Sequence, residues 1–485
     1  MTVSTASPHE SEQSVMGSGE EGDPAEFDRL RITWWMWALA GTLFFLYLTV
    51  SIRLHERLYT FGFDLGVFEQ AVRSYAEGHW PVSEVRGAGF PVLGDHFSPI
   101  LALIAPFYAL WSTPKTLMVV QSALIASSVV PLLLWTRRRL GDVPAVVIGG
   151  AYGLSWGVAS AVQGSFHEVA FALPLITCSL ISLVDGRLRQ AALWALPLIL
   201  VKEDLGVTAA VIGGFIIRRG DRKLGITTIL AGLAASAVAL LVVMPGLNTS
   251  GSLDRTDWLK TPGGGGLGDV LYHYTVGVIT PDVKMTTLLL VLAPTLGLAV
   301  RSPLILVALP TMLWRFVGSY IVAWRTDTHH SLVLMPIIFI AFVDALERRR
   351  SSPAGLKRYL MGSAAITLLL FPQFPLWGVF QPATWKNDPH VAAAQRMMAL
   401  VPDNVTVQAS NTLVPHLANR TSVSIFGWGE SRPNPQWIVV DTAVPLFQRW
   451  PYDLATEARV LDADRQAGYT TMGSDDGIVV LKRAN

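Results

Sequence analysis

Apolar runs of about 20 residues recur along this chain, and no other feature restricts its fold so strongly, because that length carries a helix across the roughly 30 Å hydrocarbon layer. Inside that layer a helix is the element that satisfies its own backbone hydrogen bonds. Runs at about 32–52, 115–135, 143–163, 168–184, 224–244, 285–300, 302–322, 331–346 and 359–379 meet or approach the length and are read as spans. Composition excludes the competing explanation, a large soluble core. The chain is 51% hydrophobic and 15% charged, whereas a soluble domain carries roughly a quarter charged residues. The expected fold is mainly α, a polytopic α-helical membrane protein of about 9 to 11 spans.

Topology follows from the basic clusters, since short Arg- and Lys-rich loops stay in the cytoplasm. These are Arg137-Arg138-Arg139, Arg187 with Arg189, Arg218-Arg219 with Arg222 and Lys223, and Arg348-Arg349-Arg350 with Lys357 and Arg358. The N-terminal tail, residues 1–28, holds Glu10, Glu12, Glu20, Glu21, Asp23, Glu26 and Asp28 without an apolar core, which reads as a disordered acidic cytoplasmic tail. The first run, about 20 residues, is long enough to cross and stay, and so reads as a start-transfer anchor rather than a cleaved signal. The transmembrane domain is drawn over 29–380, with external loops at 53–114 and 245–282. Within the first loop, Phe97 to Trp111 is too short for a full span and reads as interfacial or re-entrant. Gly263 to Gly266 in the second loop suits either a mobile cover or a slack linker.

Ala191 to Ile217 is divided by Lys202-Glu203-Asp204 into two apolar halves, each too short for a comfortable crossing. They read as two short helices meeting at a polar apex, either two spans or a re-entrant hairpin. From 381 to 485 the composition turns soluble. Strand-length stretches at Val405 to Ala409, Ser422 to Phe426, Trp437 to Asp441 and Gly477 to Leu481, with helical patterns at Ala392 to Leu400 and Ala455 to Ala467, predict a small extracytoplasmic α/β domain. No internal repeat is evident.

On this topology the ionisable groups near apolar runs fall on the external side: Asp64 and Glu69, Asp95 and His96, His167 and Glu168, then Arg325, Asp327, His329 and His330. Charges near hydrocarbon cost several kcal/mol unless paired or solvated, which makes each a functional candidate. Plainer explanations stand beside them. Asp64 could cap an amphipathic helix from about Leu65 to Ala76, and the histidine pairs could sit in solvated turns. The 202–204 triplet is harder to dismiss, because a lysine and two acids at a buried helix break need partners.

Soluble signatures fail. His167-Glu168-Val169-Ala170-Phe171 has Phe171 where a zincin helix needs its second histidine, and no glycine-rich loop carries a Walker lysine. The single cysteine, Cys178, forms no internal disulfide or thiolate zinc site and reads as a small buried hydrophobe. Nucleic acid is not an expected partner.

Several motifs in order, Phe63-Asp64-Leu65-Gly66-Val67-Phe68-Glu69-Gln70, His96-Phe97-Ser98-Pro99, Phe166-His167-Glu168, Lys202-Glu203-Asp204, Ser410-Asn411 and Pro415-His416-Leu417, make the chain similar to a bacterial predicted-membrane-protein family, domain of unknown function 2079. That family in turn resembles the GT-C superfamily of polytopic glycosyltransferases. The resemblance implies transfer of a sugar from a polyprenyl-phosphate donor to a glycan or lipid acceptor of the cell envelope, at the outer face of the plasma membrane. It implies that Asp64 matches the superfamily's loop acid and is the catalytic base. Lys202, Arg325, His329 and His330 are then candidate phosphate partners, since charge-assisted bonds strengthen as the leaving group gains charge. His96, His167 and Glu168 would orient the sugar or assist the base, and Glu69, Asp95, Glu203 and Asp204 complete the candidate binding set. A divalent cation on Asp64, Asp95, Glu168 and the histidines is left open. Two other classes also stay open: a transporter or lipid flippase with its polar site at the broken helices, and a non-catalytic envelope scaffold.

Overall fold

The computed structural model describes residues 2, 32–248, 267–349, 352–445 and 448–484. The acidic residues from Glu10 to Asp28 and the Gly263 to Gly266 run lie outside these. Among the described residues, six helices are long and apolar enough to cross a membrane: Trp34–Glu56, Pro114–Leu140, Asp142–Gln163, Arg222–Leu247, His329–Arg348 and Pro353–Gln373. Five shorter apolar helices accompany them, at Pro99–Leu110, Glu168–Val184, Leu188–Leu200, Leu205–Arg218 and Pro303–Val317.

Helix His329–Arg348 runs through the centre, with every side chain from Leu334 to Leu346 buried. A helix apolar all round is stable only inside a bundle or in lipid. The two halves divided by the 202–204 triplet are the short helices Leu188–Leu200 and Leu205–Arg218, with Lys202, Glu203 and Asp204 in the turn between them.

The runs expected as spans at 285–300 and 302–322 are not single helices. Asp282–Leu292 gives way to 3₁₀ turns at Ala293–Thr295 and Leu298–Arg301 before Pro303–Val317 begins. Pro294 removes a backbone donor there, and Leu296 and Gly297 turn the chain in left-handed conformations. Hydropathy does not report such breaks.

The first loop is more structured than its hydropathy indicates. A π-helical turn, Gly62–Gly66, leads into the amphipathic helix Val67–Ala76, followed by a hairpin of β1 (Val82–Ser83) and β2 (Phe90–Pro91). Helix Pro99–Leu110 presents Leu103, Phe107 and Leu110 on its exposed face, as an interfacial helix would.

Towards the C-terminus, β3 (Thr406–Ala409), β4 (Ser422–Ile425), β5 (Trp437–Asp441), β6 (Tyr469–Asp475) and β7 (Ile478–Arg483) form one sheet in the order β4-β3-β5-β7-β6. β3 pairs parallel with β4 and β5, whereas β5–β7 and β6–β7 are antiparallel. The wholly buried β5 occupies the centre. Helices Pro389–Met398 and Leu454–Gln466 are capped by Asp388 and Asp453.

This sheet unit does not hang free of the helices. Leu58, Val67, Ala71, Val85 and Val92 of the first loop share a core with Val407, Leu413, Val414 and Val439. Gln70 Nε2 donates to the Val423 carbonyl at 2.8 Å while its Oε1 accepts from Ser83 at 2.8 Å. Arg53 and Arg57, at the end of the first long helix, donate to carbonyls of Thr384 and Ala383 at 2.8 and 2.9 Å.

Candidate active site

A cavity of about 1580 Å³ opens where the helix ends, the first loop and the sheet unit meet. Asp64, Asp95, His96, His167, Glu168, Lys202, Glu203, Asp204, Arg325, His329 and His330 all line it, although they come from five separate stretches of chain.

Asp64 is placed by the π-helical turn. Helix Val67–Ala76 takes Gly66 as its N-cap residue and receives no side-chain cap bond, so Asp64 does not cap that helix. Instead the carboxylate faces the cavity, 39% exposed, with Oδ1 3.9 Å from His167 Nε2. Burial raises its proton affinity, His167 opposes that and Glu168 adds to it, with a net upward pKa shift. His167 is shifted downward, chiefly by desolvation; Asp64 and Glu168 counteract and Lys202 reinforces. A neutral imidazole therefore stands beside the acid.

Behind that pair the imidazoles of His167 and His329 stack at 3.4 Å, and His329 stacks on His330 at 4.2 Å. Lys202 Nζ reaches Glu168 Oε1 at 3.1 Å, a pair only 10% and 1% exposed. Removing one partner of such a pair costs about 3–5 kcal/mol, because the other charge stays buried. Glu203 accepts from the Phe97 amide at 3.2 Å, tying the apex to the His96-Phe97-Ser98-Pro99 motif. Asp95 lies 3.0 Å from Arg86 and 3.3 Å from His96.

One sequence candidate needs correction, and another has a partner already. Glu69 does not line the cavity: it is fully buried on the other face of its helix, where Tyr108 donates to it at 3.0 Å, and burial pushes its pKa to about 8. Helical periodicity turns position 69 away from position 64. Arg325 does line the wall, but its guanidinium is already paired with Asp327 two residues on. For a cation, no group of three or more His, Cys, Asp or Glu side chains among the described residues is arranged to hold a metal.

Other residues escaped sequence reasoning. Arg315 is completely buried in the wall and donates to the carbonyls of Ala323 (2.8 Å) and His330 (3.2 Å), which holds the histidine turn. A lone arginine inside an apolar run, Leu309 to Val317, was the available signal. Arg86 carried none. Asn411 explains the Ser410-Asn411 motif. Its Oδ1 accepts from the Gly62 amide at 2.9 Å, and its carbonyl accepts from the same amide at 2.9 Å. A Cβ at Gly62 would come within 2.9 Å of Val414, so only glycine lets the sheet unit close on the turn that carries Asp64. His416 of the neighbouring motif stacks on His55 at 4.1 Å.

The family described as predicted membrane protein (DUF2079) matches residues 54–480, nearly the whole chain. The chain belongs to the DUF2079 family. In this DUF2079 protein every motif that carries the family likeness touches the cavity or the turn beside it. No curated protein matches in sequence. Among solved structures, the crystal structure of ArnT from Cupriavidus metallidurans bound to undecaprenyl phosphate is similar with a TM-score of 0.53 and 13% identity, over 92% of this chain and 97% of that one. The DUF2079 chain thus has an ArnT-like fold.

Proposed function

We propose that this protein is an inverting-type glycosyltransferase that takes a sugar from a polyprenyl phosphate and places it on a cell-envelope acceptor at the outer face of the plasma membrane. One observation carries the reading: a single cavity beside the apolar helices holds an acid with raised proton affinity, Asp64, within 3.9 Å of His167. The solved ArnT structure is described as bound to undecaprenyl phosphate, which supports a polyprenyl phosphate as the donor lipid here.

In this reading Asp64 accepts the proton of an acceptor hydroxyl as its oxygen attacks the anomeric carbon. The bond from that carbon to the phosphate oxygen breaks, and the electron pair leaves with the phosphate. Lys202 offers Glu168 one of its three ammonium protons and can turn the others to the departing phosphate. His329 and His330 close the same wall. His167 positions the Asp64 carboxylate. Arg325 acts at the rim, sharing itself between Asp327 and the phosphate.

Sidedness follows the same reading. The described basic residues Arg137, Arg138, Arg139, Arg187, Arg218 and Arg348 sit at or just after the helix ends remote from the cavity, which makes that end cytoplasmic and puts the N-terminus inside. The cavity and the α/β domain of about 381–485 then face outward.

The test is sugar release from a polyprenyl-phosphate donor by the purified chain in lipid vesicles, for wild type and Asp64→Ala. Wild-type turnover with loss in the variant, at equal membrane insertion, is the expected result; full activity of Asp64→Ala sinks the assignment.

A further inference from the structure

The cavity has a second wall that the transfer chemistry leaves unused. Phe63, adjacent to Asp64 in sequence, meets Trp428 and Trp450 of the sheet unit edge-on, with ring centroids 5.3 and 5.0 Å apart. The two indoles lie 5.1 Å apart at 37°. Phe63 and Trp428 line the cavity, as do Arg86 and Gln448. Arg86 stands over the Phe63 ring at 5.3 Å and bonds Asp95 Oδ1 at 3.0 Å.

Were these rings only the glue between first loop and sheet unit, they would be fully enclosed, as Val414 and Leu413 are beside them. Trp450, beside the cavity lining rather than in it, instead keeps 40% of its surface exposed. The cluster is also held rigidly. Gly427 has φ +83°, and a Cβ there would come within 2.3 Å of the Tyr452 ring. The loop carrying Trp428 and the segment carrying Trp450 are therefore locked face to face through a position that only glycine fills without strain. Two donor atoms within the cluster, Trp428 Nε1 and Arg86 Nε, are buried without an acceptor among the described residues. An unmade buried hydrogen bond of that kind is unfavourable, and a hydroxyl oxygen entering between the rings would satisfy it.

Flat apolar faces bordered by an arginine, a carboxylate and an amide match a pyranose ring, which has an apolar C–H face and a rim of hydroxyls. A hydrocarbon tail would gain nothing from the polar rim, and a phosphate would find no advantage in the rings. We infer that Phe63, Trp428 and Trp450, with Arg86, Asp95 and Gln448, form an acceptor subsite that stacks a neutral sugar ring beside Asp64. The acceptor is therefore a carbohydrate rather than a lipid headgroup. The subsite rests on the glycosyltransferase reading for its role, but its ligand can be tested without turnover.

The experiment is saturation-transfer NMR on the full chain in phosphatidylcholine nanodiscs, with maltotriose, mannotriose and galactotriose as probes. Wild type should transfer saturation to the C–H face of at least one trisaccharide. Trp428→Leu and Trp450→Leu should weaken that binding about tenfold, and Trp450→Phe, which keeps a ring, should restore most of it. Arg139→Gln, at the far end of the bundle, should bind the sugar as wild type does. Absence of transfer to all three probes in wild type, or binding by both leucine variants as tight as by wild type, overturns the subsite. Tryptophan-dependent binding by a chain without glycosyl transfer would instead overturn the enzyme reading and leave the carbohydrate site standing.

Discussion

Both ends of the helical bundle gather charge, and they use it differently. At the basic end, Arg139 is shared between Asp185 at 2.7 Å and Glu347 at 2.6 Å, Trp135 donates to the same Asp185 at 2.9 Å, and Arg348 meets Asp344 at 2.7 Å. The Arg139 and Trp135 contacts close separate helix ends on one another, and Arg348–Asp344 lies along a single helix. At the cavity end the charges line a space of about 1580 Å³, and the leading acid stands 3.9 Å from its nearest partner, beyond a hydrogen bond. Charge near a membrane thus marks a site only where the groups face a shared volume rather than each other.

The sharpest way to break this comparison is to remove the unclosed acid. Asp64→Asn should lower transfer from a polyprenyl-phosphate sugar by about 10²–10⁴-fold in a vesicle assay, whereas Arg139→Gln at the other end should leave the rate per folded molecule unchanged. Equal losses in both variants would erase the distinction.

Next in size is the buried pair. Glu168→Gln or Lys202→Met alone should lower thermal stability in detergent by about 3–5 kcal/mol, and the double variant should recover much of it. Additive single effects would show that the pair is uncoupled. Arg139→Gln, a part-buried network member, should cost about 1–3 kcal/mol in the same melt.

A smaller effect is expected from the sheet unit. Asn411→Ala should lower kcat about tenfold while both KM values hold, because it removes the side-chain acceptor of the Gly62 amide, leaving only the backbone carbonyl, and loosens the Asp64 turn. Asn411→Asp, which keeps an acceptor oxygen, should restore part of the rate and shift its pH profile. A KM effect alone would move Asn411 out of the positioning role.

Glu69 supplies the last contrast, an ionisable group belonging to neither set. Its folded pKa of about 8 lies above the ordinary glutamate value of 4.5, so the protonated form is favoured by folding. That contribution is complete below pH 4.5 and is lost as pH rises towards 8. Thermal melts should therefore fall across this window in wild type and flatten in Glu69→Gln. An unchanged slope would place the titration elsewhere.

Much of the scaffold was legible from one-dimensional pattern. Apolar length located the six long helices, the charged apex of the 188–218 pair stood out against hydrocarbon, and alternation found four of the five strands in the C-terminal sheet. The fifth, Tyr469–Asp475, was missed because exposed threonines, glycine and serine give it no apolar period. Short elements of the first loop were missed for a similar reason, since a two-residue hairpin has no periodicity. The candidate site was half legible. His167, Lys202 and Asp64 could be suspected, but Glu69 was included because sequence proximity to Asp64 says nothing about which helix face a side chain takes. Arg86 and Asn411 were invisible as site residues, since their meaning lies in contacts 9 and 349 residues away.

By itself the sequence determined that the chain enters a membrane, about where its long helices lie, and which charges stand against hydrocarbon, because these depend on local transfer free energy. The tertiary structure alone decided that Asp64, His167, Lys202 and His329 share a cavity and that the sheet unit clamps the Asp64 turn. Those meetings depend on how separate helices pack and where Gly62 lets Val414 approach, and packing between distant segments leaves no periodic trace in the chain.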